Sequence, residues 1–105
     1  MEVILKKPKG ISDWLRLYRL YLSAFPREER KPFALILRMY KKGTTDVWCL
    51  KREGKFVGLG ITINGPDLIL LDYFAIGKKM RQQGIGSAAL PVIVDYYGDK
   101  GFFLE

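Results

Sequence analysis

Apolar positions along the chain change period near residue 44. Over residues 12–43 they recur at the three-and-four spacing of helices with one buried face, and over residues 46–76 they crowd into the short runs expected of strands. In the first texture Trp14, Leu17, Tyr18, Tyr21, Leu22 and Phe25 form one stripe, while Arg16 and Arg19 point away from it. Ser12 is placed to cap this helix and Pro26 to end it. After the charged link REERK, Pro32 suits a first helical turn. Phe33, Ile36, Leu37 and Tyr40 then make a second stripe, which Gly43 closes.

The strand texture begins early with residues 3–6, VILK, which Pro8 and Gly10 interrupt. Residues 46–52 and 56–63 flank the turn EGK, a hairpin signal, and Asn64, Gly65 and Pro66 turn the chain into a third run, 68–76. A polar loop, GKKMRQQ, leads into a helix over residues 84–97, then Gly98, Gly101 and a last strand, FFLE. The third run, this helix and FFLE form a βαβ unit, which requires a right-handed crossover and parallel strands. The order is βααβββαβ, an α/β chain of the α+β type: a mixed sheet with an antiparallel meander and a terminal parallel unit. No repeat or low-complexity segment interrupts it.

Composition narrows the chemistry. A chain of 105 residues with 49% hydrophobic and 28% charged content is expected to form one domain, residues 1–105. Its apolar runs are far shorter than the roughly 20 residues of a membrane span, and the N-terminus has no signal-peptide core, so a soluble cytoplasmic protein is expected. There is no histidine, which excludes His-assisted nucleophiles and His-bound metals. Cys49, within VWCL, has no partner for a disulfide and reads as a small buried hydrophobe. Carboxylates, lysines, tyrosines and backbone amides remain. The net charge of +7 suits an anionic partner (nucleic acid, an anionic membrane surface or a phosphate-bearing small molecule) or simply a solvated basic surface.

The stretch MRQQGIGSAAL, residues 80–90, gives the charge a local use. A helix that starts just after a strand exposes unpartnered N–H groups whose dipoles favour an anion, and glycine at 84 and 86 removes the Cβ atoms that would keep a bulky anion away. Lys78, Lys79 and Arg81 lie just upstream. A tight turn with close helix packing is the alternative reading of the same glycines. GIGSAA also fits the dinucleotide pattern G-x-G-x-x-A, with Glu105 about 20 residues on. Against that stand the seven-residue loop between strand and glycine and the three antiparallel strands upstream. No Gly-Lys-Ser or Gly-Lys-Thr of a Walker loop occurs.

The longer stretch AIGKKMRQQGIGSAAL, residues 75–90, resembles the acetyl-CoA-binding motif of the GNAT superfamily, an arginine or glutamine followed by x-x-G-x-G or x-x-G-x-A. Here the match runs Arg81, Gln82, Gln83, Gly84, Ile85, Gly86. The order βααβββαβ is that of the first part of the GNAT fold, and SAFPREERKPF is similar to the helix-to-helix link of small bacterial members. The resemblance covers essentially the whole chain. It implies an N-acetyltransferase that uses acetyl-CoA as co-substrate, with no metal. The pyrophosphate would lie on the amides of Gln82, Gln83, Gly84, Ile85, Gly86 and Ser87, and the pantetheine arm would pair with Phe74, Ala75 and Ile76. The Ile76 N–H would polarise the thioester carbonyl while a primary amine attacks directly.

Proton transfer calls for a carboxylate. Candidates are Glu28 and Glu29 in the link, Asp72 on the strand before the loop, and Glu105, favoured because open α/β sheets place ligands at the C-terminal ends of their parallel strands. Each also reads as an ordinary surface charge or salt-bridge partner. A basic protein would repel a cationic amine, so either an acidic pocket receives it or the acceptor is itself anionic. The resemblance implies a further helix and closing strands after Glu105, including a tyrosine that protonates the departing thiolate, and Tyr96 and Tyr97 are poorly placed to replace it. A catalytically impaired CoA-binding module is therefore the alternative function. FFLE as an exposed edge implies a homodimer or strand exchange, the alternative being a truncated form of a longer protein. Pro91 cannot donate to the Ser87 carbonyl, so a kink or loosened turn is expected there. The expected partners are acetyl-CoA and an amine; no basic helix or aromatic-interleaved strand marks a nucleic-acid reader, and no membrane partner is expected.

Overall fold

The apolar runs of the middle of the chain become the centre of a five-stranded sheet in the computed structural model, which describes residues 2–104. The strands are β1 (Ile4–Lys6), β2 (Thr45–Arg52), β3 (Lys55–Asn64), β4 (Leu68–Ile76) and β5 (Gly101–Leu104). They lie side by side in chain order, antiparallel throughout except for the parallel pair β4–β5. Glu53 and Gly54 close the β2–β3 hairpin with positive φ at both residues, the left-handed pair that a two-residue turn with the sheet's own twist requires.

Helices α1 (Gly10–Ala24) and α2 (Phe33–Lys42) cover one face of the sheet, where Leu17, Tyr21 and Ile36 pack with Val47, Cys49, Leu59 and Ile61. Helix α3 (Ile85–Tyr97) covers the other, its Ile85, Ala89 and Ile93 packing with Val3, Leu50 and Val57. Helices on both faces explain why β2 and β3 read as nearly continuous apolar runs. Among the described residues no helix is long and apolar enough to cross a membrane.

Local expectations shift in four places. Helix α1 starts at Gly10 rather than after Ser12, and no side chain caps it; the Asp13 carboxylate instead accepts the Lys9 N–H at 2.8 Å. Its buried stripe is narrower than the apolar pattern suggests. Leu20 is buried, whereas Tyr18 and Leu22 each remain 41% exposed, Tyr18 lying edge-on to the Phe33 ring. Phe25 falls just beyond the helix in extended backbone, half-buried against Tyr21 and Tyr73. Helix α3 runs on through Pro91. Ser87, whose carbonyl Pro91 cannot serve, is an exposed residue.

Two irregularities of β4 open one of its edges. Ile61 pairs with Tyr73 but Thr62 pairs with Leu71, so Asp72 is the extra residue of a β-bulge. The β4–β5 ladder runs from Leu68–Gly101 to Leu71–Leu104, so residues 72–76 have no β5 partner among the described residues.

Candidate active site

The second half of β4 presents a free edge. Gly77 donates its N–H to the Val57 carbonyl at 2.8 Å, and alternation along an antiparallel ladder then turns Ala75 toward β3 and the amides of Phe74 and Ile76 away from it. Those amides point to the side that β5 leaves open. Gly58 helps hold this stretch close: a Cβ there would lie 2.5 Å from the Ala75 carbonyl oxygen, so β3 and β4 can approach only with glycine at that position.

The loop that follows is built to leave donors free. After a single 3-10 turn at Lys78–Met80, Gln82 and Gly84 both adopt positive φ, 69° and 76°, and α3 starts at Ile85. Within the described residues the first amide after Met80 to find a carbonyl is that of Ala88, which donates to Gly84 at 3.1 Å. The amides of residues 82–87 thus form the open end of a helix preceded by left-handed backbone, a concave arrangement that suits an anion. Arg81 Nε donates to the Ile76 carbonyl at 3.2 Å, fastening the loop to the end of β4, and Lys78, Lys79 and Arg81 are all exposed beside it. A Cβ on Gly86 would meet Ile76 Cγ1 at 3.7 Å and the Phe74 ring at 3.9 Å, so the Cβ direction of Gly86 faces β4 with room for a methyl. Gly84, in left-handed backbone that favours glycine, carries the loop shape together with Gln82.

Beside the free edge opens a cleft of about 750 Å³ whose walls include Glu28, Glu29, Lys31, Asp72, Phe74 and Leu104. It brings three of the four candidate carboxylates together; Glu105 lies outside the described residues. Glu28 and Glu29 are exposed on a 3-10 turn, Arg27–Glu29, in the link between α1 and α2. Asp72 is less free than the sequence suggests, since its side chain is 8% exposed and its Oδ2 is ion-paired with the Lys31 ammonium. The link is also clasped by two tyrosines. Tyr73 accepts the Lys31 N–H at 3.0 Å and donates to the Glu29 carbonyl at 2.8 Å, while Tyr21 donates to the Lys31 carbonyl at 2.7 Å. Burial, reinforced by the neighbouring Tyr73 hydroxyl, holds the Tyr21 pKa well above the ordinary phenol value, so Tyr21 remains a donor.

Lys31 and Tyr73 escaped the reading of the sequence because neither sits in a motif; the only hint is a pair of polar groups, Asp72 and Tyr73, inside an apolar strand. A second polar cluster was equally hidden. Tyr97 donates to Asp46 Oδ2 at 2.6 Å, accepts from Trp48 Nε1 at 3.0 Å and lies 3.0 Å from Thr62 Oγ1. Burial raises the Tyr97 pKa well above its ordinary value, and its hydroxyl is fully engaged, which makes it a structural group. Cys49 is fully buried and burial pushes its thiol up to about 11, in keeping with a core residue and not a nucleophile. Among the described residues no three His, Cys, Asp or Glu side chains are grouped to hold a metal.

Comparison with known proteins matches residues 14–105 to the family model described as the acetyltransferase (GNAT) family. A search of curated proteins finds no match. Solved structures share the fold at low identity. A Bacteroides thetaiotaomicron protein assigned to the GNAT family superposes with a TM-score of 0.77 at 16% identity, over 91% of this chain and 55% of its own. The chain therefore spans little more than half of that protein. An aminoglycoside acetyltransferase from an uncultured soil metagenomic sample, in complex with sisomicin, gives 0.75 at 16% identity, over 99% of this chain and 76% of that one. An Elizabethkingia anophelis GNAT family acetyltransferase with acetyl-CoA bound gives 0.62 at 18% identity, over 90% and 56%. With the family model spanning most of its length and the loop, bulged strand and mixed sheet in place, the chain belongs to the GNAT family of acetyltransferases.

Proposed function

We propose that the protein transfers the acetyl group of acetyl-CoA to a primary amine by direct attack. The observation that carries this reading is the continuity of one segment: among the described residues, β4 has no β5 partner at residues 72–76, and this edge runs into a loop whose amides, 82–87, have no carbonyl partner. An extended thiol-bearing arm with a pyrophosphate at its far end fits such a segment. The Phe74 and Ile76 amides would pair with the arm, the amides of residues 82–87 would hold the pyrophosphate, and Lys78, Lys79 and Arg81 would add positive charge. The relative with acetyl-CoA bound supports the same co-substrate.

In this reading the Ile76 N–H faces the thioester carbonyl and stabilises the oxyanion that forms when the amine attacks; one such donor is worth roughly 3 kcal/mol of barrier. The N–C bond forms, the C–S bond breaks, and the thiolate leaves as the thiol, its proton balancing the one that the acylated nitrogen loses. Glu29 is the base we assign, directly or through one water, because Glu28 and Glu29 line the cleft with no ion-pair partner among the described residues, whereas Asp72 is held by Lys31. The two link carboxylates would also receive a cationic acceptor, beside Arg30 and the Lys31–Asp72 pair on the same wall. Thiol release from acetyl-CoA, measured with sisomicin, spermidine and a peptide with a free N-terminal alanine, tests the reading. It predicts release with at least one amine and none without; no release with any would overturn it. We further propose that the β5 edge, with Phe103 54% and Leu104 62% exposed, pairs with a second copy; light scattering at micromolar concentration should give a dimer mass, and a monomer mass refutes the pairing.

A further inference from the structure

We infer that Tyr73 is a positioning residue that sets the acceptor wall of the cleft against the acetyl-bearing strand. The inference rests on the acetyltransferase reading and adds a residue to it. Glu28 and Glu29 sit on a link that leaves α1 at Phe25 and reaches α2 at Phe33. Among the described residues its hydrogen bonds to β4 are three. Two of them use the single Tyr73 hydroxyl, which accepts from the Lys31 amide and donates to the Glu29 carbonyl; the third joins Lys31 to Asp72.

The residues joined in this way are 41 to 44 positions apart in sequence, so the contacts are tertiary and specific to the folded chain. Their place on the strand gives them consequence. Tyr73 follows the bulged Asp72 and precedes Ile76 by three residues, so the strand that would orient the thioester also carries the hydroxyl that orients the base. The Tyr73 ring is buried, edge-on to Tyr21 and Phe25 with centroids 4.9 Å away in each case, and the Lys31 ammonium lies 5.7 Å from its centroid. Packing therefore fixes the ring, and the ring fixes the hydroxyl. Tyr21, donating from α1, holds the same residue by its carbonyl.

Tyr73→Phe keeps the ring and its packing and removes both hydrogen bonds to the link. Steady-state kinetics in both substrates, with the amine that wild type acetylates, should show the acceptor KM rising about tenfold, as expected for two lost hydrogen bonds, with the acetyl-CoA KM within about twofold of wild type. An unchanged acceptor KM, or an equal rise in both KM values, overturns the inference. Hydrogen exchange at the Lys31 amide reads the same clasp without turnover: it should quicken in Tyr73→Phe while the amides of β3 stay protected, and an unchanged Lys31 rate also overturns it. Should Tyr73→Phe fail to fold, Tyr21→Phe releases the Lys31 carbonyl and must shift the acceptor KM in the same direction. Wild type inactive toward every amine would defeat the acetyltransferase reading, and the exchange experiment would still decide the clasp.

Discussion

At the scale of single residues, the two motif glycines turn out to do different work. Gly84 has φ 76°, a conformation that costs an L side chain about 1–2 kcal/mol, whereas Gly86 faces β4 with space for a methyl. Gly84→Ala should therefore lower stability by about 1 kcal/mol and weaken acetyl-CoA binding, and Gly86→Ala should leave both near wild type; urea denaturation and titration calorimetry compare the two. The spacing from Arg81 to Gly86 made the loop legible in the sequence, because a cradle of backbone amides depends on local order. Which glycine bends the chain and which meets the strand was not legible, since that depends on where β4 lies. Lys31 and Tyr73 were invisible for the same reason.

At the scale of elements, the order of strands and helices could be read almost residue by residue, because each carries its own periodicity and its own stop. The bulge at Asp72 could not. In LILLDYFAI the buried positions Ile69, Leu71, Tyr73 and Ala75 alternate without a break, so nothing in the apolar pattern marks the extra residue that the pairing with β3 reveals. The start of α1 was misplaced because a serine looked like a cap, while Asp13, one residue on, holds the Lys9 amide from inside the first turn. That amide first, then the Lys51 ammonium 3.2 Å away, keeps the Asp13 pKa below the ordinary carboxylate value despite its burial. A folded-state pKa below the unfolded one adds stability that is complete above the unfolded value and disappears as pH falls through the folded one. Asp13→Asn should therefore be less stable than wild type at pH 7, with the gap closing toward pH 3, as urea midpoints at the two values will show.

At the scale of the whole molecule, a chain of net charge +7 spreads exposed lysines and arginines over its surface, with Lys78, Lys79 and Arg81 at the loop and the exposed carboxylates Glu28 and Glu29 at the cleft. The net charge pointed to an anionic partner, but it could not reveal this division, which arises only when the link between α1 and α2 folds over β4. The proposed co-substrate runs from the amides of residues 82–87 to the Ile76 N–H, and everything assigned to the acceptor depends on it. Thermal unfolding with increasing acetyl-CoA therefore tests the central claim most directly. A ligand at 100 times its dissociation constant stabilises by about 2.7 kcal/mol, which for a domain of this size raises Tm by roughly 10 °C or more. A saturable rise of that size, reduced in Gly84→Ala, is the expected result; a Tm that does not move with acetyl-CoA would contradict the proposed site.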